Sequence, residues 1–192
     1  MNTIKSLSAV FLLLLFISCN EEEDQTISQL LANTDIEQGS VAPAGWITNQ
    51  LDGSGLEFIW NEQEASSGSR SLQIQKISDE TEVWGYWAQI FQGDIPHGKN
   101  IELSAMIKGN DIQGTGISIA VRADREGLAS SEGQFVTTQG TIPINGTFDW
   151  KNERILLADL KPDVSRILVF LIYLPETTGE IYFDDVTLSV VE

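Results

Sequence analysis

The C-terminal stretch Thr178–Glu192 constrains this chain more than any other. Gly179 marks a turn, Ile181-Tyr182-Phe183 bring apolar bulk, Asp184-Asp185 interrupt it, and Val186, Leu188 and Val190 then alternate to the end. A strand with one apolar face needs a second apolar surface to cover it. A chain that ends on such a strand must therefore close its fold around its own C-terminus. Adjacent aspartates are unusual there, because Asp is depleted in strands. They require solvent, hydrogen-bond donors or a cation.

The rest of the sequence supplies the other walls. Alternating or aromatic segments occur at Leu56–Trp60, Ser71–Ile77, Val83–Phe91, Ile101–Lys108, Ile117–Asp124, Gln134–Thr138, Phe148–Leu157, Arg166–Leu174 and Glu180–Val191, after a short acidic strand at Asp35–Gly39. In the second of these Leu72 and Ile74 point inward by period two, with Ile77 as a further candidate for the inward set. Gly, Pro, Asn and Ser cluster between the segments, at Pro43–Trp46, Ala65–Arg70, Gly93–Gly98, Asn110–Gly116 and Pro143–Gly146. No segment keeps a helical period over three turns. With 192 residues and 42% apolar content, the chain suits a single domain with a core. The pattern predicts an all-β fold, a jelly-roll β-sandwich of two antiparallel sheets over residues 35–192. About three of the five tryptophans are expected to be mostly buried.

The N-terminus reads differently. Lys5 precedes the apolar run Val10–Ile17, and Ser18-Cys19 follows. This is the pattern of a secretory signal peptide, residues 1–18, and is too short for a membrane span of about 20 residues. A cysteine after a small residue resembles the lipobox of bacterial lipoproteins, in which that cysteine is lipidated and becomes the mature N-terminus. Phe16 stands where leucine is commonest, and a plain signal peptide with an incidental Cys19 is the competing reading. Asn20–Asp24 is a solvated acidic run. It resembles the tract that directs some lipoproteins to the outer face of a Gram-negative outer membrane; a simple tether is the alternative. The expectation is an outer-membrane lipoprotein with Cys19 lipidated and 19–34 as acidic linker. The formal charge of −17 disfavours nucleic acid and anionic headgroups, so membrane contact is expected through the anchor alone. It favours neutral or cationic partners.

Several stretches combine into a resemblance. They are Asp35-Ile36-Glu37-Gln38-Gly39 with Gly45-Trp46, then Gly68–Ile74, Trp87–Ile90 and Gly98–Ala105, and finally Ile144–Trp150 and Ile181–Val186. Over about residues 35–191, their order and spacing resemble the galactose-binding-domain-like jelly rolls. That group includes many carbohydrate-binding modules, and non-catalytic domains beside peptidases and other enzymes in bacteria. The resemblance implies a structural calcium joining the first strand to the last. Glu37 and Asp184 would be its carboxylate ligands, with backbone carbonyls near Gly39 and Arg70. Calcium takes six to eight oxygens and would relieve the repulsion of the two acids. By alternation Asp184 shares a face with Val186 and Leu188, so it points inward unless a bulge intervenes. An inward aspartate needs a partner, and Arg70 or backbone donors would serve as well as a cation.

The ligand question turns on faces. Ile101, Leu103, Ala105 and Ile107 form one apolar set, which leaves Glu102, Ser104, Met106 and Lys108 facing away. Ser118, Ala120, Arg122 and Asp124 likewise face away from the second apolar set. The aromatic strand adds Trp84 and Tyr86, or Trp87 and Gln89, depending on its phase, and Tyr173 can join them. Aromatic rings stacking on sugar C–H faces, beside Arg, Asp and Gln that bond hydroxyls, would make a carbohydrate site of these residues. Catalysis is not indicated. His97 is the sole histidine, no Gly-x-Ser-x-Gly elbow or phosphate loop occurs, and nothing marks Asp124 with Glu126 for glycosidase chemistry. The expected function is a non-catalytic, lipid-anchored extracytoplasmic carbohydrate-binding module. The alternative is a structural or protein-interaction jelly roll without a small ligand. A sugar binder should expose at least two aromatics beside Arg or Asp on one concave face; an interaction module should bury them and show a flat polar face.

Overall fold

A computed structural model describes residues 28–49, 54–78 and 83–192. The signal peptide, Cys19, the acidic run 20–24 and residues 25–27 of the expected linker lie outside the described residues. Among the described residues there are nine strands: β1 (Ile47–Thr48), β2 (Leu56–Asn61), β3 (Ser71–Lys76), β4 (Gly85–Phe91), β5 (Asn100–Arg125), β6 (Gln134–Thr137), β7 (Ile144–Leu157), β8 (Val164–Tyr173) and β9 (Thr178–Val191). Every ladder between them is antiparallel.

The strands bond in the order β1-β4-β8-β5-β9-β3-β2, with β6 and β7 also on β5. The two layers of the sandwich are joined through β5. Its first half pairs with β9 and β7, and its second half, from Ile117, pairs with β8 and β6. Register shifts at Ile107/Gly109, Gly109/Ile112 and Ile112/Ile117 carry it from one layer to the other. Asn110–Gly116, expected as a loop, is instead the bent centre of one strand of 26 residues. Its turn-forming residues are absorbed by bulges, with Asp111 at φ 51° and Gly114 at φ 82°. Gly114 is required there, since a Cβ would lie 1.8 Å from the Glu176 carbonyl oxygen.

The core forms where the layers face. Ile101, Leu103, Ala105 and Ile107 meet Ile119, Val121 and Ala123 of the same strand, with Leu72 and Ile74 of β3, Val169 and Leu171 of β8, and Phe183 of β9. Each large apolar side chain buried this way contributes about 1.5–3 kcal/mol. The all-β jelly-roll sandwich predicted from the alternation is the fold observed. Trp46 and Trp87 are buried, Trp60 and Trp150 are half-buried, and Trp84 is exposed.

Four local expectations change. Residues 28–34 are not a free linker: they run along β9, with Leu30 N donating to Leu188 O at 2.9 Å and Val186 N donating to Thr34 O at 2.9 Å. Leu31 enters the core. Asp35–Gly39 is not a strand. The Asn33 side chain donates to Gln38 O and Ala44 O and accepts from Gln38 N, which folds the segment into a closed loop. Ile77 lies past the end of β3 and is exposed, its N–H turned to Gly55 O.

The fourth concerns Asp184. Met106 pairs with Asp184 and Ile107 with Phe183, yet Ser104 pairs with Thr187, so β9 carries an extra residue here. Asp185, at φ 45°, lies within that bulge. The phase of the strand flips across it. Phe183 and Val186 both reach the core, and Asp184 stands with Met106 on the outer side of the layer. It is nevertheless fully buried, because the turn at residues 65–69 covers it.

Candidate ligand-binding face

The layer of β4, β8, β5 and β6 turns one side to the core and the other outward. Register aligns the outward side chains in rows: Ala88, Phe170, Ala120 and Thr137 in one, and Ile90, Leu168, Arg122 and Phe135 in the next. Tyr86, Ile172 and Ser118 form a third, and Arg166 pairs with Asp124 in a fourth. Ile90 and Phe135 are exposed, as is Trp84 just before β4, while Tyr86 and Phe170 are half-buried. The Tyr86 and Phe170 rings pack edge-to-face, with centroids 5.3 Å apart. A sheet floor with aromatic rings standing on it suits stacking against a flat apolar surface.

A charged cluster closes one end of this floor. Asp124 is 4% exposed, and an anion so buried must be paired. Its Oδ1 accepts from Arg122 Nε at 2.7 Å and its Oδ2 from Arg122 Nη2 at 3.3 Å. Arg166 Nε and Nη2 each lie 2.7 Å from Oδ2. The Arg122 guanidinium also sits over the Phe170 ring, 5.4 Å from its centroid, a cation–π contact that fixes its plane. Ser118, Thr137 and Thr138 link their hydroxyls at the other end, at 2.7 and 3.0 Å.

Of the predicted ligand residues, Tyr86, Arg122 and Asp124 lie on this side of the layer, and Trp84 is exposed just before β4. Trp87, Gln89 and Tyr173 do not lie on it. Trp87 packs edge-to-face on Phe58 in the core and donates Nε1 to Gln73 O. The Gln89 amide is used by the Ala32 backbone, accepting its N–H at 2.7 Å and donating to its carbonyl at 3.0 Å. Tyr173 is 1% exposed, with its hydroxyl donated to Gly179 O; burial pushes that hydroxyl's pKa up. Phe170, Arg166 and Phe135 were missed. The first two share the phase of Leu168 and Ile172 in β8, but Ile167, Val169 and Leu171 make the other phase equally apolar, so alternation alone does not select them.

Glu37 and Asp184 converge on one turn rather than on a visible ligand sphere. Glu37 accepts from Ser69 N at 2.7 Å, Ser69 Oγ at 2.7 Å and Arg70 N at 2.8 Å. The Ser69 amide, then its hydroxyl, hold the Glu37 carboxyl below its usual range. Asp184 accepts from Ser66 N, Ser67 N and Asp185 N at 2.7, 3.1 and 2.7 Å. Burial outweighs these bonds and raises its pKa to about 6. Gly68, at φ 62°, lets the turn approach, since a Cβ would meet Glu37 Oε1 at 2.4 Å. Arg70 offers its amide to Glu37, stacks its guanidinium on Trp60 and pairs with Glu62. Gly39 is exposed and bridges to Pro43. The donor set does not fit a calcium ion: N–H groups of the 65–70 turn face both carboxylates, where a calcium site turns oxygens toward the metal.

Grooves occur elsewhere. One of about 410 Å³ lies under residues 139–144 and shares Leu174 with the apolar floor. Another, of about 650 Å³, crosses the opposite layer over Gln73, Gln75, Glu180 and Tyr182, whose polar groups bond one another. His97 donates to or accepts nothing in these sites; its Nε2 lies 2.9 Å from Val164 O.

No family model matches this sequence, and no curated protein does. Solved structures do. TmCBM61 in complex with beta-1,4-galactotriose superposes with a TM-score of 0.53 over 84% of this chain and 97% of its own, at 20% identity. The two share a jelly-roll fold. The CBM22-1 xylan-binding domain of Paenibacillus barcinonensis Xyn10C shares this jelly roll with a TM-score of 0.56, 15% identity, and 86% and 96% of the two chains covered. So does the Stig cyclase Fisc of Fischerella sp. TAU, with a TM-score of 0.62, 15% identity, and 86% and 98% covered. At such identities the jelly roll itself is what is shared.

Proposed function

We propose that this protein is a non-catalytic, lipid-anchored extracytoplasmic module that binds carbohydrate on the outward side of β4, β8, β5 and β6. The observation that carries the reading is the juxtaposition of Tyr86, Phe170 and Arg122 on the outward side of this sheet. An interaction module would bury its aromatics under a flat polar surface, and this face does the opposite. The likeness to two carbohydrate-binding modules supports the same reading. A non-catalytic role is supported by Asp124, the acid among the outward strand positions, whose two oxygens both go to arginines.

The anchor is proposed from Cys19 and the apolar run before it. Cys19→Ser should move the protein from the membrane fraction to the soluble one; retention in the membrane would remove the anchor. A glycan array with the purified protein tests the binding. Capture by at least one polysaccharide is expected. Capture by none, from protein that melts cooperatively, would sink the reading.

A further inference from the structure

We infer that the glycan taken by this face is acidic, presenting a carboxylate or sulfate ester to Arg122 and Arg166. The inference rests on the reading above and names its ligand class.

Neutral sugars present hydroxyls, which need acceptors as well as donors. Sugar-binding faces commonly meet that need with carboxylates. Here the outward strand positions carry Arg122, Arg166 and Asp124 as their charged side chains. Asp124 cannot receive a ligand hydroxyl, because it is 4% exposed and both oxygens are engaged by guanidinium groups. Its role is to hold two arginines side by side. The arginine side chains are themselves 28% and 42% exposed. Each spends Nε and Nη2 on Asp124, and among the described residues neither Nη1 donates to a protein group. What the site offers a ligand is therefore donors with surplus positive charge.

The local balance opposes that of the whole chain. Two arginines and one aspartate leave an excess of one positive charge on a protein of formal charge −17. Distant acids are screened beyond about 8 Å at physiological salt, so the local sign governs contact. Charge-assisted bonds from a fixed guanidinium are about twice as strong as neutral ones. Arg122 is fixed in three ways, by two bonds to Asp124 and by the Phe170 ring. A sugar ring lying on Tyr86 and Phe170 would place an acidic substituent within reach of this pair.

The test uses matched pairs of polymers on the full protein. Polygalacturonate is compared with its methyl-esterified form, and a sulfated galactan with unsulfated galactan, by affinity electrophoresis or calorimetry. At least about tenfold tighter binding to the anionic member of one pair is expected. The first pair assigns a carboxylate, the second a sulfate. Arg166→Gln should bring that preference below about threefold; if the variant does not fold, the wild-type pairs still decide. Equal or tighter binding to the neutral members overturns the inference and leaves the carbohydrate reading standing. Binding to none of the four, with folded protein, overturns the inference, and the carbohydrate reading falls with it only if the glycan array is empty as well.

Discussion

Arg122 carries its guanidinium 5.4 Å above the Phe170 ring centroid while donating Nε to Asp124 at 2.7 Å. One buried acid thus fixes a cation against an aromatic ring at the charged end of the sheet. Removing the acid should free both arginines. Asp124→Ala is expected to lower the unfolding free energy by about 1–2 kcal/mol, since the partly exposed arginines can return to water. Polysaccharide binding should fall further than that loss implies, because the arginines lose their orientation. Denaturant unfolding and affinity electrophoresis on the same samples check the two together.

Asp184 should make stability depend on pH in an unusual direction. Its folded pKa, about 6, lies above the value near 4 of an unfolded aspartate. The folded state therefore holds the proton more tightly, and stability is fullest below pH 4. It is lost as pH rises through about 6, by about 3 kcal/mol from this group. Glu37, whose pKa is lowered, contributes in the opposite sense and loses its contribution as pH falls. Asp184→Asn, which does not titrate, should remove the slope between pH 4 and pH 6.5. A mutant with the wild-type slope would assign it to another group.

The turn at residues 65–70 is clamped by N–H donors aimed at Glu37 and Asp184, which is the wrong polarity for ligands of a cation. Melting with and without a chelator should give the same midpoint. A lower midpoint in chelator, restored by calcium, would show that a cation joins these residues after all.

Gly114 marks the point where β5 passes between layers. It sits at φ 82°, with the Glu176 carbonyl where a side chain would be. Gly114→Ala should cost at least about 2 kcal/mol, from backbone strain and the clash together. A change within about 0.5 kcal/mol would mean the crossover can relax without loss.

The fold was legible in the sequence because period two is read directly from apolar spacing. Ile101–Ile107 and Ile117–Ala123 were placed on the core side by alternation, and they are buried. Phase across a bulge was not legible. Nothing local in Asp184-Asp185-Val186 shows that Asp185 adopts φ 45° and moves Asp184 to the outer side. In β4 the neighbours Tyr86 and Trp87 are both aromatic, so alternation could not choose between them. Contacts from distant residues chose, with Phe58 and the Gln73 carbonyl drawing Trp87 inward. Arg166 escaped notice for a similar reason. Its partner Asp124 lies across the β5–β8 ladder, and that register is not written in either segment alone.

Polysaccharide binding by the wild-type protein beside Tyr86→Ala and Arg122→Ala, each shown to be folded, tests the proposed face most directly. Tyr86 is half-buried at the edge of the floor and Arg122 partly exposed at its charged end, so both can be truncated without opening the core. Binding by the wild type and a loss of about tenfold or more in each variant is the expected result. Undiminished binding in both variants would place the ligand elsewhere and contradict the assignment of this face.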